Sequence, residues 1–168
     1  RVALTLRLLG GLSTDAIARA FLVPEATIAQ RIVRAKRTLS DKQVPFEVPR
    51  GSERHARLAS VLEVLYLIFN EGYAASDGDD AQRPALCHEA LSLIGVLAEQ
   101  MPTAAEVHAL RALMALQASR SAARSDASGA PVLLLEQDRS RWHQPLIQLG
   151  LAALARAQQL GGGESSYA

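Results

Sequence analysis

Between Leu12 and Leu39 the chain reads LSTDAIARAFLVPEATIAQRIVRAKRTL, and this stretch restricts the fold more than any other. Ser13 and Thr14 carry side-chain oxygens suited to capping a helix, and Asp15 falls in the first turn, where the helix dipole favours a carboxylate. Ile17, Ala20 and Phe21 follow as an apolar stripe at helical spacing. Val23 and Pro24 interrupt it, and Pro24 suits the first position of a new helix, where an N–H would have no intrahelical partner anyway. From Glu25 onward residues advance ~100° apiece and sort onto two faces. Ile28, Ile32, Ala35 and Leu39 share one face. Ala26, Thr27, Gln30, Arg34 and Arg37 share the other, with Arg31 and Lys36 on its flanks. One face can pack while the other presents amide, hydroxyl and guanidinium groups outward. That division is what a helix entering the DNA major groove requires, so the pattern predicts a helix-turn-helix.

The charge distribution agrees. The 168 residues have a formal net charge of +1. Through Arg50, however, there are nine Lys/Arg against four Asp/Glu, and from Gly51 onward nine against thirteen. A basic first portion suits a polyanion and an acidic remainder does not. About half the residues are apolar, enough for a sizeable core in one domain or two small ones. No apolar run approaches the ~18–20 residues of a membrane span, so no membrane association is expected. The single cysteine, Cys87, excludes an internal disulfide and fits a reducing, cytoplasmic location. His55, His88, His108 and His143 are scattered, so no metal or other cofactor is expected. The chain opens at Arg1, already inside an apolar helical pattern, and is read as lacking an amino-terminal part.

The pattern predicts an all-α protein. Arg1 to Leu9 reads as a first helix ended by Gly10-Gly11, which completes a three-helix unit over residues 1–40. Residues 41–52, with Pro45, Pro49 and Gly51, read as a linker to a second domain over 53–168. There, helices are expected from Arg54 to Asn70, closed by Glu71-Gly72-Tyr73, and from Pro84 to Gln100. A third is expected from Ala104 to Ala123, capped by Thr103, and a last from Gln144 to Leu160. Their inward faces would carry Leu58, Val61, Leu62, Leu65, Ile68 and Phe69, then Leu86, Ala90, Leu93, Ile94 and Leu97, then Val107, Leu110, Met114 and Gln117. Residues 76–82 and 125–131 read as loops. Val132 to Leu135 fits either a strand or the edge of a buried turn. Ala109, Ala112, Ala115 and Ala118 suit closely stacked antiparallel helix pairs, of which the tetratricopeptide solenoid is the nearest architecture, although no clean repeat is present.

The stretch LRLLGGLSTDAIARAFLVPEATIAQRIVRAKRTL resembles region 4 of bacterial RNA polymerase sigma factors of the extracytoplasmic-function type. VLYLIFNEGYAAS and LLLEQDRSRWHQPLI resemble the carboxy-terminal, tetratricopeptide-like helical extension of one subgroup of those factors. The resemblance implies an all-α fold, a helix-turn-helix domain followed by a helical-pair domain. It also implies recognition of the promoter −35 element and docking on the β flap of core RNA polymerase; a regulatory protein partner for the extension is a separate expectation, drawn from its polar and aromatic residues. Thr27, Gln30, Arg31 and Arg34 align with the groove-entering part of the recognition helix, and Lys36 and Arg37 with its basic end. Ala26 and Ala29 depart from the family, standing where relatives carry glycine or a long polar residue. Region 2, which melts the −10 element, has no counterpart here.

Chemically, an arginine fork matches guanine O6 and N7, and a glutamine amide matches adenine N6 and N7. Gln30 and Arg34 lie opposite the Ile28/Ile32 stripe and are assigned to bases; Arg31, Lys36 and Arg37 are assigned to phosphates. In the second domain Asn70, Glu71, Tyr73, Asp138, Arg139 and Trp142 are the polar and aromatic candidates for a partner-binding groove. Internal pairing, with Asp138 on an arginine, Asn70 capping a helix and the Trp142 N–H bonded, is the competing reading. A ligand-sensing helix-turn-helix regulator is the alternative function, but no heptad run offers a dimer seam. An enzyme is not expected. Glu71, His88 and His108 could serve as acid and base, but no nucleophile elbow, phosphate loop or metal spacing accompanies them.

Overall fold

The computed structural model describes residues 2–8, 10–42, 51–74, 83–162 and 167. They form seven α-helices and no strand. The helices are α1 (Val2–Leu8), α2 (Thr14–Ala20), α3 (Glu25–Lys42), α4 (Ser52–Ala74), α5 (Arg83–Gln100), α6 (Ala105–Ala118) and α7 (Gln144–Gln159). The fold is all-α, a helix-turn-helix followed by a helical domain. The chain forms two compact units, Arg1–Ile68 and Phe69–Ala168, with α4 contributing to both. Residues 43–50, most of the expected linker, lie outside the described residues, as do residues 75–82, which hold the expected loop at 76–82, and residues 163–166.

In the first unit α1, α2 and α3 pack on one another around Leu4, Leu6, Leu12, Ala16, Ile17, Ile28 and Ile32, all buried. Ala20 is exposed, so the buried side of α2 is Ala16, Ile17 and Ala18 rather than the stripe running to Phe21. About 40 residues are too few to sustain a core unaided. The unit accordingly extends into α4, where Leu58, Leu62, Leu65 and Ile68 are buried, while Val61, expected on the same face, is exposed because it stands at the edge of that stripe. Gly10 permits the approach: a Cβ there would lie 2.9 Å from the Leu6 carbonyl oxygen and 3.1 Å from the Ile68 side chain. Leu39 is exposed, because α3 runs on past the short helices that cover its beginning.

In the second unit α6 packs against α5 on one side and α7 on the other. Val107, Ala109, Leu110, Ala112, Met114 and Ala115 of α6 are buried, as are Ala90 and Ile94 of α5. Leu93 is exposed instead of inward, since α5 is apolar on several sides and periodicity alone misplaces its face. The α6/α7 pair is antiparallel and close. A Cβ at Gly150 would sit 2.7 Å from Leu116 Cγ and 3.3 Å from the Ala112 carbonyl oxygen, while Gly162 approaches Ala105. Packing of this kind brings backbones together, and small residues make it possible.

Several boundaries differ from expectation, each for a local reason. Helix α4 does not close at Asn70; it continues through Gly72 to Ala74. Tyr73 stacks on Phe69 one turn back, with ring centroids 5.5 Å apart, and that contact offsets the ~1 kcal/mol helix penalty of a glycine. Asn70 is therefore inside a helix rather than capping one. Thr103 does not cap α6, whose N-cap is Ala104 with no side-chain bond. The turn before α6 is held by the Pro102 carbonyl, which accepts from His108 Nε2 at 3.1 Å and Arg156 Nη2 at 3.3 Å. Helix α6 stops at Ala118, where Ser119 Oγ donates to the Leu116 carbonyl at 2.7 Å, and a 3₁₀ turn follows at Ser121–Ala123. Val132–Leu135 is neither strand nor buried. The Val132 N–H donates to the Arg124 carbonyl, after which Leu133, Leu134 and Leu135 turn through solvent, Leu135 at 89% exposure.

Candidate nucleic-acid interface

The outer face of α3 is built from the turn that precedes it. Ser13 caps α2 by accepting from the Ala16 N–H at 3.0 Å. Phe21 ends α2, and the chain reverses through Leu22, which has a φ of 51°, the left-handed region that β-carbons disfavour. Pro24 stands one position before α3 rather than at its first residue, and its carbonyl accepts from the Thr27 and Ile28 N–H groups. Glu25 then occupies the first turn of α3, stabilised by the helix dipole. Ile28 and Ile32 are buried against α1 and α2, which fixes the rotation of the helix and hence what it shows to water.

With Ile28 and Ile32 inward, Gln30, Arg31, Arg34 and Arg37 are exposed and Thr27 is half-buried. At roughly 100° per residue these five span a single sector of about 120°. Lys36 is also exposed but stands on the opposite flank, beside Ala29 and Val33. Gln30, Arg31, Arg34 and Lys36 make no side-chain hydrogen bond or ion pair among the described residues. Arg37 is 3.7 Å from Asp41, an exposed pair. Exposed pairs of this kind contribute little, so a phosphate can displace the aspartate at small cost. The face therefore offers planar donors of which only Arg37 has an internal partner, an exposed one.

The second unit treats its polar residues differently. Tyr73 is held from two sides: the Arg124 guanidinium lies 3.8 Å above its ring and donates to its carbonyl, and Arg120 Nη2 donates to its hydroxyl at 3.3 Å. Asp138 Oδ1 accepts from the Ser140 N–H at 2.9 Å and Oγ at 2.7 Å, capping a 3₁₀ turn at Arg139–Arg141. Those bonds, helped by Arg141, hold its carboxyl below the usual range. Arg139 lies over the Trp142 ring at 5.6 Å. Among the described residues the buried Trp142 Nε1 and Gln137 Oε1 have no hydrogen-bond partner, so the bond expected from the indole N–H is not found there. Asn70 and Glu71 are half-buried in α4. Burial pushes the Cys87 thiol up to about 11, with Arg124 partly opposing, so it is a poor nucleophile at neutral pH. Among the described residues no three potential metal ligands gather, and no helix is long and apolar enough to cross a membrane.

Arg120 and Arg124 were not legible as partners of Tyr73, because they lie 47 and 51 residues away and follow the end of α6. Val33 was legible but passed over: helical rotation alone carries it out of the packed stripe, and it is 67% exposed.

Residues 1–39 match sigma-70, region 4, the carboxy-terminal, promoter-recognising part of sigma factors. Residues 57–158 match a family of unknown function, DUF6596. Over 159 residues the chain is 46% identical to an uncharacterized protein of Rhizobium meliloti (strain 1021); the match covers 95% of this chain and 38% of that protein. No solved structure matches. With more than half its length inside that match, the chain belongs to the DUF6596 family and carries a sigma-70 region 4 segment ahead of it.

Proposed function

We propose that this chain is the carboxy-terminal part of an alternative sigma factor of the extracytoplasmic-function type, acting in the cytoplasm. In this reading residues 1–40 read the promoter −35 element and dock on the β flap of core RNA polymerase. Residues 53–168 form a tetratricopeptide-like extension that binds a regulatory protein through the surface around Asn70, Glu71, Tyr73, Asp138, Arg139 and Trp142. The role is binding, not catalysis. The observation that carries it is the exposed sector of Thr27, Gln30, Arg31, Arg34 and Arg37 on the second helix of a helix-turn-helix. Long cations held in water, unpaired or in one exposed pair, contribute little to stability, whereas each phosphate contact releases a counterion.

Within the sector, Gln30 and Arg34 are assigned to base edges and Arg31 and Arg37, with Lys36 on the far flank, to phosphates. The test is selection of duplexes from a random-sequence library by the full chain, followed by titration of variants at several salt concentrations. Arg37→Ala is expected to weaken every duplex and lower the salt slope by about 1, while Gln30→Ala relaxes preference at one position. Equal losses on all duplexes for both variants would contradict the assignment. Retention of the full chain on core polymerase is expected, and failure to bind it would remove the docking role.

A further inference from the structure

We infer that Val33 is a specificity-determining residue that reads the C5-methyl group of thymine, working jointly with Gln30 on one A·T base pair. The inference rests on the reading of α3 as the helix that enters the major groove. Val33 is three residues beyond Gln30 and one before Arg34, on the exposed side of α3. Residues three apart on a helix are neighbours, so the Val33 methyls stand beside the Gln30 amide. The side chain is 67% exposed and is bordered along the helix by Gln30, Lys36 and Arg37. The packed stripe through Ile28 and Ile32 is turned well over 90° away, so Val33 takes no part in the core at which region 4 helices meet.

The chemistry of an A·T pair fits this juxtaposition. In the major groove adenine presents an acceptor and a donor, which a glutamine amide satisfies together, and the paired thymine presents its O4 and its methyl. An amide on the adenine edge brings its helical neighbour over the same pair. An apolar side chain there can bury the thymine methyl, whereas a lysine or glutamate would have to be desolvated against it. Ala26 and Ala29 lie on the same side of α3 and are both exposed. Their short side chains leave room for α3 to approach the base edges closely enough for Val33 to touch them.

The experiment uses the full chain and the duplex it selects, in two versions, one with thymine and one with deoxyuridine at each A·T pair in turn. Deoxyuridine keeps every hydrogen-bonding group and loses only the methyl. The wild-type chain is expected to bind about fourfold more weakly when one particular thymine is replaced, the affinity equivalent of one buried methyl group. Val33→Ala is expected to lose about as much on the thymine duplex and to become indifferent to the replacement. Alanine is the better helix former at this exposed site, so the variant folds. Wild-type indifference to every deoxyuridine overturns the inference, as does Val33→Ala that still discriminates. A Val33→Ala chain with unchanged DNA binding but weakened retention on core polymerase would assign the side chain to a protein contact instead. If the wild-type chain binds no duplex, the reading of α3 itself falls, and with it this inference.

Discussion

Arg34 and Arg124 are the same side chain in opposite circumstances, and the two regions around them differ in the same way. On the outer face of α3, Arg34 is exposed with no side-chain partner among the described residues, and so are Gln30, Arg31 and Lys36. Around Tyr73, Arg124 covers an aromatic ring, bonds a carbonyl and is half-buried, while Arg120 bonds the phenol. The first arrangement leaves donors for something outside the chain. The second uses them to join the end of α4 to the segment after α6. A count of arginines cannot separate the two; what each guanidinium touches does.

The sharpest way to break that comparison is to remove one arginine from each region and measure stability. Arg124→Ala loses a cation–π contact and a charged hydrogen bond in a partly dry site, and is expected to cost about 2 kcal/mol. The transition is read in urea by the fluorescence of Trp142, the single tryptophan. Arg34→Ala removes only a solvated side chain and is expected to stay within about 0.5 kcal/mol by circular dichroism. Similar losses in both would mean that the α3 face is structural after all.

How much of this was legible in the sequence follows from the range of the interactions. The α3 face was readable because its determinants are all local: Ser13 starts α2, Pro24 marks the break before α3, and the Ile28/Ile32 spacing sets the rotation, within twenty residues. The helices of the second unit were readable for the same reason, apart from their ends. Those ends are decided by contacts that periodicity cannot contain. Tyr73 stacking on Phe69 keeps α4 going past a glycine, and Pro102 receives donors from His108 and from Arg156, far along the chain. The α5 face was misread at Leu93 because an apolar residue on every side leaves no phase to measure. Val132–Leu135 fits a strand or the edge of a buried turn by its apolar run, yet the turn that begins at Val132 carries Leu133, Leu134 and Leu135 outward.

A smaller effect sharpens the description of the first region. Leu22 is 92% exposed with a φ of 51°, so it pays for a left-handed turn with no packing in return. Leu22→Gly relieves a conformational cost of roughly 1–2 kcal/mol and loses part of that to the greater freedom of glycine when unfolded, for an expected gain of about 0.5–1 kcal/mol. Thermal unfolding followed by circular dichroism measures it. A destabilised Leu22→Gly would show that this side chain packs on something, and the turn before α3 would then belong to the interface rather than only positioning it.

The smallest effect tests whether the second region's polar bonds carry stability even at its surface. The Asp138 carboxyl is held below its ordinary range first by the Ser140 hydroxyl, then by the Ser140 N–H and, more weakly, by Arg141. A carboxyl depressed in the folded state adds stability that is complete above its unfolded pKa of about 3.9 and disappears as pH falls through the lower folded value. Asp138→Asn keeps a side-chain oxygen that caps the Arg139–Arg141 turn nearly as well but has nothing to titrate. Asp126, bonded in the same manner by Ser128, is unchanged in both chains and cancels from the difference. Near neutral pH the wild-type chain should be slightly the more stable. Below pH 4 the two should converge, as followed by Trp142 fluorescence. A constant gap at every pH would mean that the Asp138 charge adds nothing beyond the cap geometry, and that the engaged character of this region comes from its arginines alone.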